Sequence, residues 1–70
     1  MDFKFNLRYI REREGFTQSE LAEKVGISQA ALSNYENGKD RPSVDVCAKM
    51  AKALKVSIDD LVHGEKSKKE

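Results

Sequence analysis

The sequence contains no tryptophan and only one cysteine, one histidine and one proline. A single thiol cannot form an internal disulfide, and one cysteine with one histidine is too few for a structural zinc site built on these residues. No apolar run approaches the roughly 20 residues that span a bilayer, and the N-terminus lacks the pattern of a signal peptide. We therefore expect a soluble protein of a reducing compartment, with no metal and no cofactor.

An excess of charge of one sign is also missing, because 13 basic residues face 12 acidic ones. Net charge gives no sign of a nucleic-acid partner, so any basic footprint has to come from the arrangement of the charges. A chain of 70 residues forms one small domain. That size leaves no room for a deep substrate cavity, and no Ser/His/Asp constellation supports an enzyme. With few aromatic residues, the core is expected to be Leu, Ile, Val, Ala and Met.

Glycine and N-cap residues divide the chain into five predicted helices. Each glycine follows a stretch of helical spacing, where a left-handed cap is expected; these are Gly15, Gly26, Gly38 and Gly64. Thr17 with Glu20 forms a capping box, and the other N-caps are Ser28, Ser43 and Ser57. The predicted helices are about 3–14, 18–25, 29–37, 44–54 and 58–63, which gives an all-α fold.

The two ends of the chain are less regular. Phe3 and Phe5 alternate as in an extended arm, whereas Phe3, Leu7 and Ile10 keep helical spacing, which favours a helix.

Helix 44–54 is expected to bury the stripe Val44, Cys47, Ala48, Ala51 and Leu54. Residues 65–70 are charged and have nothing to bury, so we assign residues 1–64 to the domain and 65–70 to a frayed tail.

The most informative stretch is 17–38, where two short helices meet at Val25-Gly26-Ile27-Ser28. A break of about three residues makes the two helices cross steeply. Ala22 is small enough for the close approach, and Gly26 tolerates the positive φ of the turn. Apolar anchors beneath the crossing are Leu21, Val25, Ile27 and Leu32. Together these features predict a helix-turn-helix.

The outward face of helix 29–37 is polar and nearly uncharged. At about 100° per residue, with Leu32 inward, this face carries Gln29, Ala30, Ser33, Asn34 and Asn37. Amides and hydroxyls both donate and accept hydrogen bonds, which suits base edges in a major groove, and the Ala30 methyl suits a thymine methyl. The same pattern is compatible with an ordinary solvated face. The helical wheel alone therefore leaves two interpretations, a DNA-reading face and a solvent-exposed one.

Candidate phosphate contacts flank this face. Gln18 opens helix 18–25, where free amide groups and the positive end of the helix dipole attract an anion. Lys39 and Arg41 follow helix 29–37, Asn37 ends it, and Ser28 precedes it. Such contacts fix the register of a protein on a duplex, while contacts to base edges select the sequence.

Three ordered motifs give the chain a family resemblance. They are Gly15-Phe16-Thr17-Gln18-x-x-Leu21-Ala22-x-x-Val25-Gly26-Ile27-Ser28, then Leu32-Ser33-x-Tyr35-Glu36-x-Gly38-x-x-x-Pro42-Ser43, and then Ala51-x-Ala53-Leu54-x-Val56-Ser57-x-Asp59-x-Leu61. Residues 3–64 therefore resemble the lambda-repressor-like helix-turn-helix of the phage Cro/repressor and XRE family of bacterial regulators. Any one tripeptide of these motifs is weak, and their order makes the match specific.

The resemblance implies a five-helix regulator, in most cases a repressor, that binds palindromic double-stranded DNA as a homodimer without catalysis, in the cytoplasm and associated with the nucleoid. It implies base contacts from Gln29, Ala30, Ser33 and Asn34, and phosphate contacts from Gln18, Asn37, Lys39 and Arg41. It also implies an Arg11–Glu36 pair between the first and third helices. We place the dimer surface on helix five with part of helix four (Ile58, Leu61, Val62), because so small a domain has no other spare apolar surface.

The sequence departs from the family pattern at three places. Lys55 stands where the family often has glycine, and Val46-Cys47-Ala48 is smaller than the usual leucine-rich run. Asp40 separates Lys39 from Arg41 and is expected to weaken this loop as an anion site, because its carboxylate repels phosphate. A protein-interaction module on the same fold, such as a coactivator or anti-regulator, is the alternative function. Within the DNA-binding class, a phage-type repressor, an antitoxin autoregulator and a restriction-modification controller all use this module.

Overall fold

The computed structural model describes residues 3–63, with the side chains of residues 6–63. Its helices are α1 Phe3–Arg13, α2 Gln18–Val25, α3 Gln29–Asn37, α4 Val44–Leu54 and α5 Ile58–His63. The all-α prediction is confirmed, and α1 begins at Phe3 as a helix rather than as an extended arm. Gly64 and the predicted tail 65–70 lie outside the described residues. No helix within 3–63 has the length and apolar character needed to cross a membrane.

Side-chain caps fix where α2 begins. The Thr17 hydroxyl accepts from the Glu20 amide at 3.0 Å, while the Glu20 carboxylate accepts from the Thr17 amide at 2.9 Å. This reciprocal pair is the predicted capping box, and it satisfies amides that the first helical turn leaves unpaired. The serine caps are confirmed in the same way, with Ser28, Ser43 and Ser57 accepting from the third amide of their helices.

The helices form a closed ring around the core. α2 packs on α3 on one side and on α4 on the other, while α5 packs on both α4 and α1, and α1 closes the ring against α3. The buried apolar residues are Leu7, Ile10, Leu21, Ala22, Val25, Leu32, Met50, Ala51, Leu54 and Leu61. This composition is the one expected from the scarcity of aromatic residues. The ring places α2 between the third and fourth helices.

The predicted inward stripe of α4 is wrong in part. Val44 is 78% exposed, Cys47 is only half-buried, and Met50 is fully buried in their place. The buried arc of α4 is centred near Leu54, and Val44 lies about 80° away from it on the wheel, whereas Met50 lies about 40° away. Val44 is also the first residue of α4.

Leu61 requires a second correction, because it was assigned to the dimer surface. Its side chain is 0% exposed and belongs to the core. A side chain enclosed by its own chain has no surface left for a partner, so the α5 residues that remain for such a surface are Ile58, which is 43% exposed, and the half-buried Val62. The i, i+3 spacing of Ile58 and Leu61 places them on neighbouring parts of the helix, and only Leu61 reaches the ring interior.

The turn after α4 explains the departure at Lys55. Lys55 adopts the left-handed conformation with φ of 62° and ψ of 39°, and its amide donates to the carbonyls of Ala51 and Lys52. Glycine adopts this conformation without steric cost, whereas a residue with a Cβ is strained there. Within residues 3–63, Lys55 is the one residue other than glycine with positive φ.

Lys55→Gly is therefore expected to stabilise the domain by about 0.5–1 kcal/mol, since relief of the strain exceeds the added entropy of the unfolded chain. Urea unfolding followed by circular dichroism measures the effect. Lys52→Gly is the matched control, because it removes the same charge from a helical position and should destabilise by about 1 kcal/mol. Equal destabilisation by both substitutions would contradict the strain assigned to Lys55.

Candidate nucleic-acid interface

The outward face of α3 carries the predicted side chains. Gln29, Ala30, Asn34 and Asn37 are exposed and Ser33 is half-buried, while Leu32 faces inward and is fully buried. The Asn37 amide donates to the Ser33 hydroxyl at 3.3 Å. Tyr35 is half-buried and packs against the core. The helix therefore presents neutral polar groups outward, and neither lysine nor arginine occurs in it.

A chain of side-chain hydrogen bonds holds Gln29 against the start of α2. The Ser19 hydroxyl donates to Gln29 Oε1 at 3.0 Å, and Gln29 Nε2 donates to Gln18 Oε1 at 3.4 Å. An amide has two donor hydrogens and two acceptor lone pairs, so the two contacts together leave Gln29 one further donor and one further acceptor. Gln29 is thus oriented by its neighbours while part of its hydrogen-bonding capacity stays exposed.

This series of side-chain hydrogen bonds ends at a buried ion pair between α1 and α3. Glu36 accepts from Arg11 Nε at 2.5 Å and from Arg11 Nη2 at 3.1 Å, which is the bidentate geometry that suits guanidinium and carboxylate. The two side chains are only 9% and 3% exposed. Arg11 Nη1 also donates to the Phe16 carbonyl at 2.7 Å, and Gln18 Nε2 donates to Glu36 Oε1 at 3.1 Å. The predicted Arg11–Glu36 pair is confirmed.

The residues predicted to support the turn between α2 and α3 occupy the expected positions. Ala22 of α2 is buried in the core, and Gly26 caps α2 with φ of 88°. The Gly26 amide donates to the Ala22 carbonyl at 2.8 Å, and the Ile27 amide donates to the same carbonyl at 3.0 Å. Gly38 caps α3 with φ of 79°. These turns fix where each end of α3 lies.

The candidate phosphate contacts surround α3 at both ends. Gln18 is half-buried at the first turn of α2, and Ser28 is exposed at the start of α3, where its hydroxyl accepts from the Ala31 amide at 3.0 Å. Lys39 and Arg41 are exposed in the loop between α3 and α4. Asp40, which was expected to weaken this loop as an anion site, accepts from the Arg41 amide at 2.9 Å. Its carboxylate is therefore turned in part toward its own backbone.

Arg41 also lies near Cys47 of α4. Burial raises the pKa of the Cys47 thiol, and the positive charge of Arg41 partly offsets this rise. The thiol is accordingly neutral at pH 7, which fits a packing role at the half-buried edge of α4. Within the described part of the chain, no three His, Cys, Asp or Glu side chains form a group that could hold a metal ion.

Two members of the site were not predicted from the sequence. Ser19 orients Gln29, and the Phe16 carbonyl accepts from Arg11. Ser19 carries no signal of its own, because serine in a first helical turn is ordinary, and its partner lies in the next helix. The Phe16 carbonyl is a backbone atom, so no residue type reveals it.

A ring of five helices, with a glycine turn between α2 and α3 and an exposed amide-bearing face on α3, defines a helix-turn-helix domain. A helix-turn-helix family model matches residues 7–61. The chain belongs to this family, in its lambda-repressor-like, XRE branch.

Relatives and solved structures agree with this assignment. The chain is similar to antitoxin HipB of Escherichia coli O6:H1, with 42% identity over 52 residues, which is 74% of this chain and 55% of that protein. It is also similar to the cryptic phage CTXphi transcriptional repressor RstR of Vibrio cholerae, with 36% identity over 61 residues, which is 87% of this chain and 54% of that protein. The P22 c2 repressor, solved in complex with a synthetic operator, superposes with a TM-score of 0.87 at 28% identity, covering 93% of this chain and 98% of that one. The chain thus spans about half the length of these two curated relatives.

The buried pair yields a stability prediction. Glu36→Gln removes the buried bidentate partner of the Arg11 guanidinium and leaves it only the exposed Glu12 carboxylate, 3.7 Å from Nη2. We therefore expect a loss of about 3–5 kcal/mol in the free energy of unfolding. Glu14→Gln is the control, because the exposed Glu14 pairs with Arg13 at 3.2 Å and its ion pair does not involve Arg11. An exposed pair contributes about 0–1 kcal/mol. Urea unfolding of both variants compares them, and a similar small loss for both would contradict the role given to Glu36.

Proposed function

We propose that the chain is the sequence-specific DNA-binding module of a transcriptional regulator. In this proposal α3 enters the major groove of a palindromic operator, two copies bind together, and the bound protein represses transcription. The observation that carries the proposal is the exposed amide and hydroxyl face of α3, in which Gln29 is held by Ser19 and Gln18. The resemblance to repressors, including one solved with its operator, supports it.

The residues of α3 differ in the base contacts that their side chains can make. Gln29 and Asn34 can each pair with adenine through donor and acceptor together, Ser33 can donate or accept, and the exposed Ala30 methyl can meet a thymine methyl. Arginine is the commonest reader of guanine, and α3 contains none. We therefore expect a half-site in which the bases that α3 contacts are mainly A·T pairs.

Phosphate contacts come from both ends of the same face. Gln18 and Ser28 lie at the starts of α2 and α3, where the positive ends of the helix dipoles favour an anion. Beyond the end of α3, the phosphate groups of the DNA backbone are bound by Lys39, Arg41 and Asn37. These contacts give affinity and salt dependence without sequence preference.

The two kinds of contact are separable by mutation. Against a duplex selected from a random pool by the purified protein, Gln29→Ala or Ser33→Ala should cost about 1–3 kcal/mol and relax preference at one base pair. Lys39→Ala should weaken all duplexes alike and lower the salt slope by about 1. Fluorescence anisotropy over a range of salt concentrations measures both effects.

The competing function is a protein-interaction module on the same fold. If no duplex is enriched from the random pool, or if Gln29→Ala and Lys39→Ala have the same effect on every duplex, the proposed recognition by α3 is wrong. Circular dichroism of each variant shows whether the fold is retained. Since Gln29 and Lys39 are exposed, their replacement should leave the helix content unchanged.

We further propose that the homodimer forms through Ile58 and the neighbouring surface of Val62. Ile58 is one of the large apolar side chains exposed in the described structure. Ile58→Lys should weaken binding to the palindromic operator by about tenfold or more, because two half-sites are then engaged separately. Binding to a single half-site should stay the same. An equal loss on both duplexes would point to damage of the DNA-binding face instead.

The regulatory context follows from the genes beside the operator. The similarity to antitoxin HipB makes an autoregulating antitoxin a second candidate role for the same DNA-binding module. A toxin gene in the same operon would support that role, whereas a set of phage genes would support a repressor of the RstR kind. The chemistry proposed for α3 is the same in both cases.

A further inference from the structure

A second basic surface lies between α2 and α4. Lys24, Lys49, Lys52, Lys55 and Ala53 line a groove of about 370 Å³, which we call the lysine groove. α2 contributes Lys24, and the remaining residues come from the C-terminal half of α4 and its cap. All four lysines are exposed.

The charges of the lysine groove are not neutralised by the domain itself. The three arginines of α1 each pair with a carboxylate, as Arg8–Glu12, Arg11–Glu36 and Arg13–Glu14. Among the side chains of residues 6–63, none of the four lysines has a carboxylate oxygen within 4.0 Å. The groove therefore holds four unpaired cations, twice the number that Lys39 and Arg41 supply beside α3.

The lysine groove and the candidate DNA face lie on opposite sides of α2. Ser19 contacts Gln29 of α3, and Lys24 lies five residues further on, about 140° away around the helix. α2 itself stands between α3 and α4. A duplex seated on α3 would thus leave the lysine groove free for another partner.

The chemistry of the groove favours a protein segment. The groove is lined by the half-buried Ala53 and four exposed lysines, and its lining is mainly apolar. Lysine side chains supply such a lining through their aliphatic stems while their ammonium groups stay in water. A mainly apolar groove that carries four cations is complementary to a helix with carboxylates beside apolar side chains. Residues 65–70 of this chain hold three lysines and two glutamates, so they lack the required charge.

We propose that the lysine groove docks an acidic amphipathic helix of a partner protein while α3 remains available to DNA. Binding of such a partner would add a contact to the regulator at the operator without competing for the duplex. The proposal does not depend on α3 binding DNA, because the groove shares none of its lining residues with that face.

The test uses the full chain and a fluorescent synthetic helix that presents Glu and Leu along one face. We expect this peptide to bind, and the Lys49→Glu/Lys52→Glu variant to bind it about tenfold more weakly. Lys39→Glu/Arg41→Glu is the matched control, with the same charge change in the loop after α3, and should leave peptide affinity unchanged. A peptide with Lys in place of Glu should prefer the Lys49→Glu/Lys52→Glu variant over the natural chain.

Four results would overturn the proposal. The first is an equal loss of peptide affinity in the two double Glu variants, and the second is equal binding of a peptide with Gln in place of Glu. The third is a loss of duplex affinity, with a lower salt slope, in the Lys49→Gln/Lys52→Gln variant. The fourth is a loss of self-association in that same Gln variant. The first two mean that binding is unspecific, the third that the groove contacts DNA phosphate, and the fourth that it pairs with a second copy. The Gln variants keep the helix neutral at these positions and guard against misfolding of the Glu variants.

Discussion

The arrangement of the helix-turn-helix depends on the buried ion pair between Arg11 and Glu36. A carboxylate removed from water must be matched by donors in good geometry, and Glu36 is met by the fork of Arg11 and by the amide of Gln18. Arg11 in turn donates to the Phe16 carbonyl, just before α2 begins. The pair thus joins α1, α3 and the entry to α2 at one point, and it tolerates little displacement of any of them.

From this point a series of hydrogen bonds leads outward to the surface. Glu36 is buried, Gln18 is half-buried and Gln29 is exposed, and each contacts the next. Ser19 holds Gln29 from the other side. A side chain oriented before its ligand arrives loses less entropy on binding. In the proposed mode of DNA binding, the interior of the domain would therefore contribute to recognition by Gln29.

The sequence predicts the local features of this molecule well and the tertiary ones less well. The capping box at Thr17 and the turn at Gly26 depend on a few neighbouring residues, so their patterns are visible along the chain. Burial depends on how helices pack, so helical spacing placed Val44 in the core wrongly. Leu61 was assigned to the dimer surface for lack of other spare apolar surface, and this was also wrong, because Leu61 is buried. The Ser19–Gln29 contact and the lysine groove each join two helices, and no spacing within one helix reveals them. The Arg11–Glu36 pair was expected only because ordered motifs identified the family.

In the proposed mode of binding, the series of hydrogen bonds from Glu36 presents one face, around Gln29, to DNA. Chemical-shift mapping by NMR, with a selected operator duplex added to the isotope-labelled chain, tests this claim most directly. We predict that the largest changes occur at the side-chain amides of Gln29, Gln18 and Asn34 and in the loop 38–41, with Lys49 and Lys52 unaffected. Changes centred on α4 and Lys24, with the Gln29 amide unmoved, would contradict it.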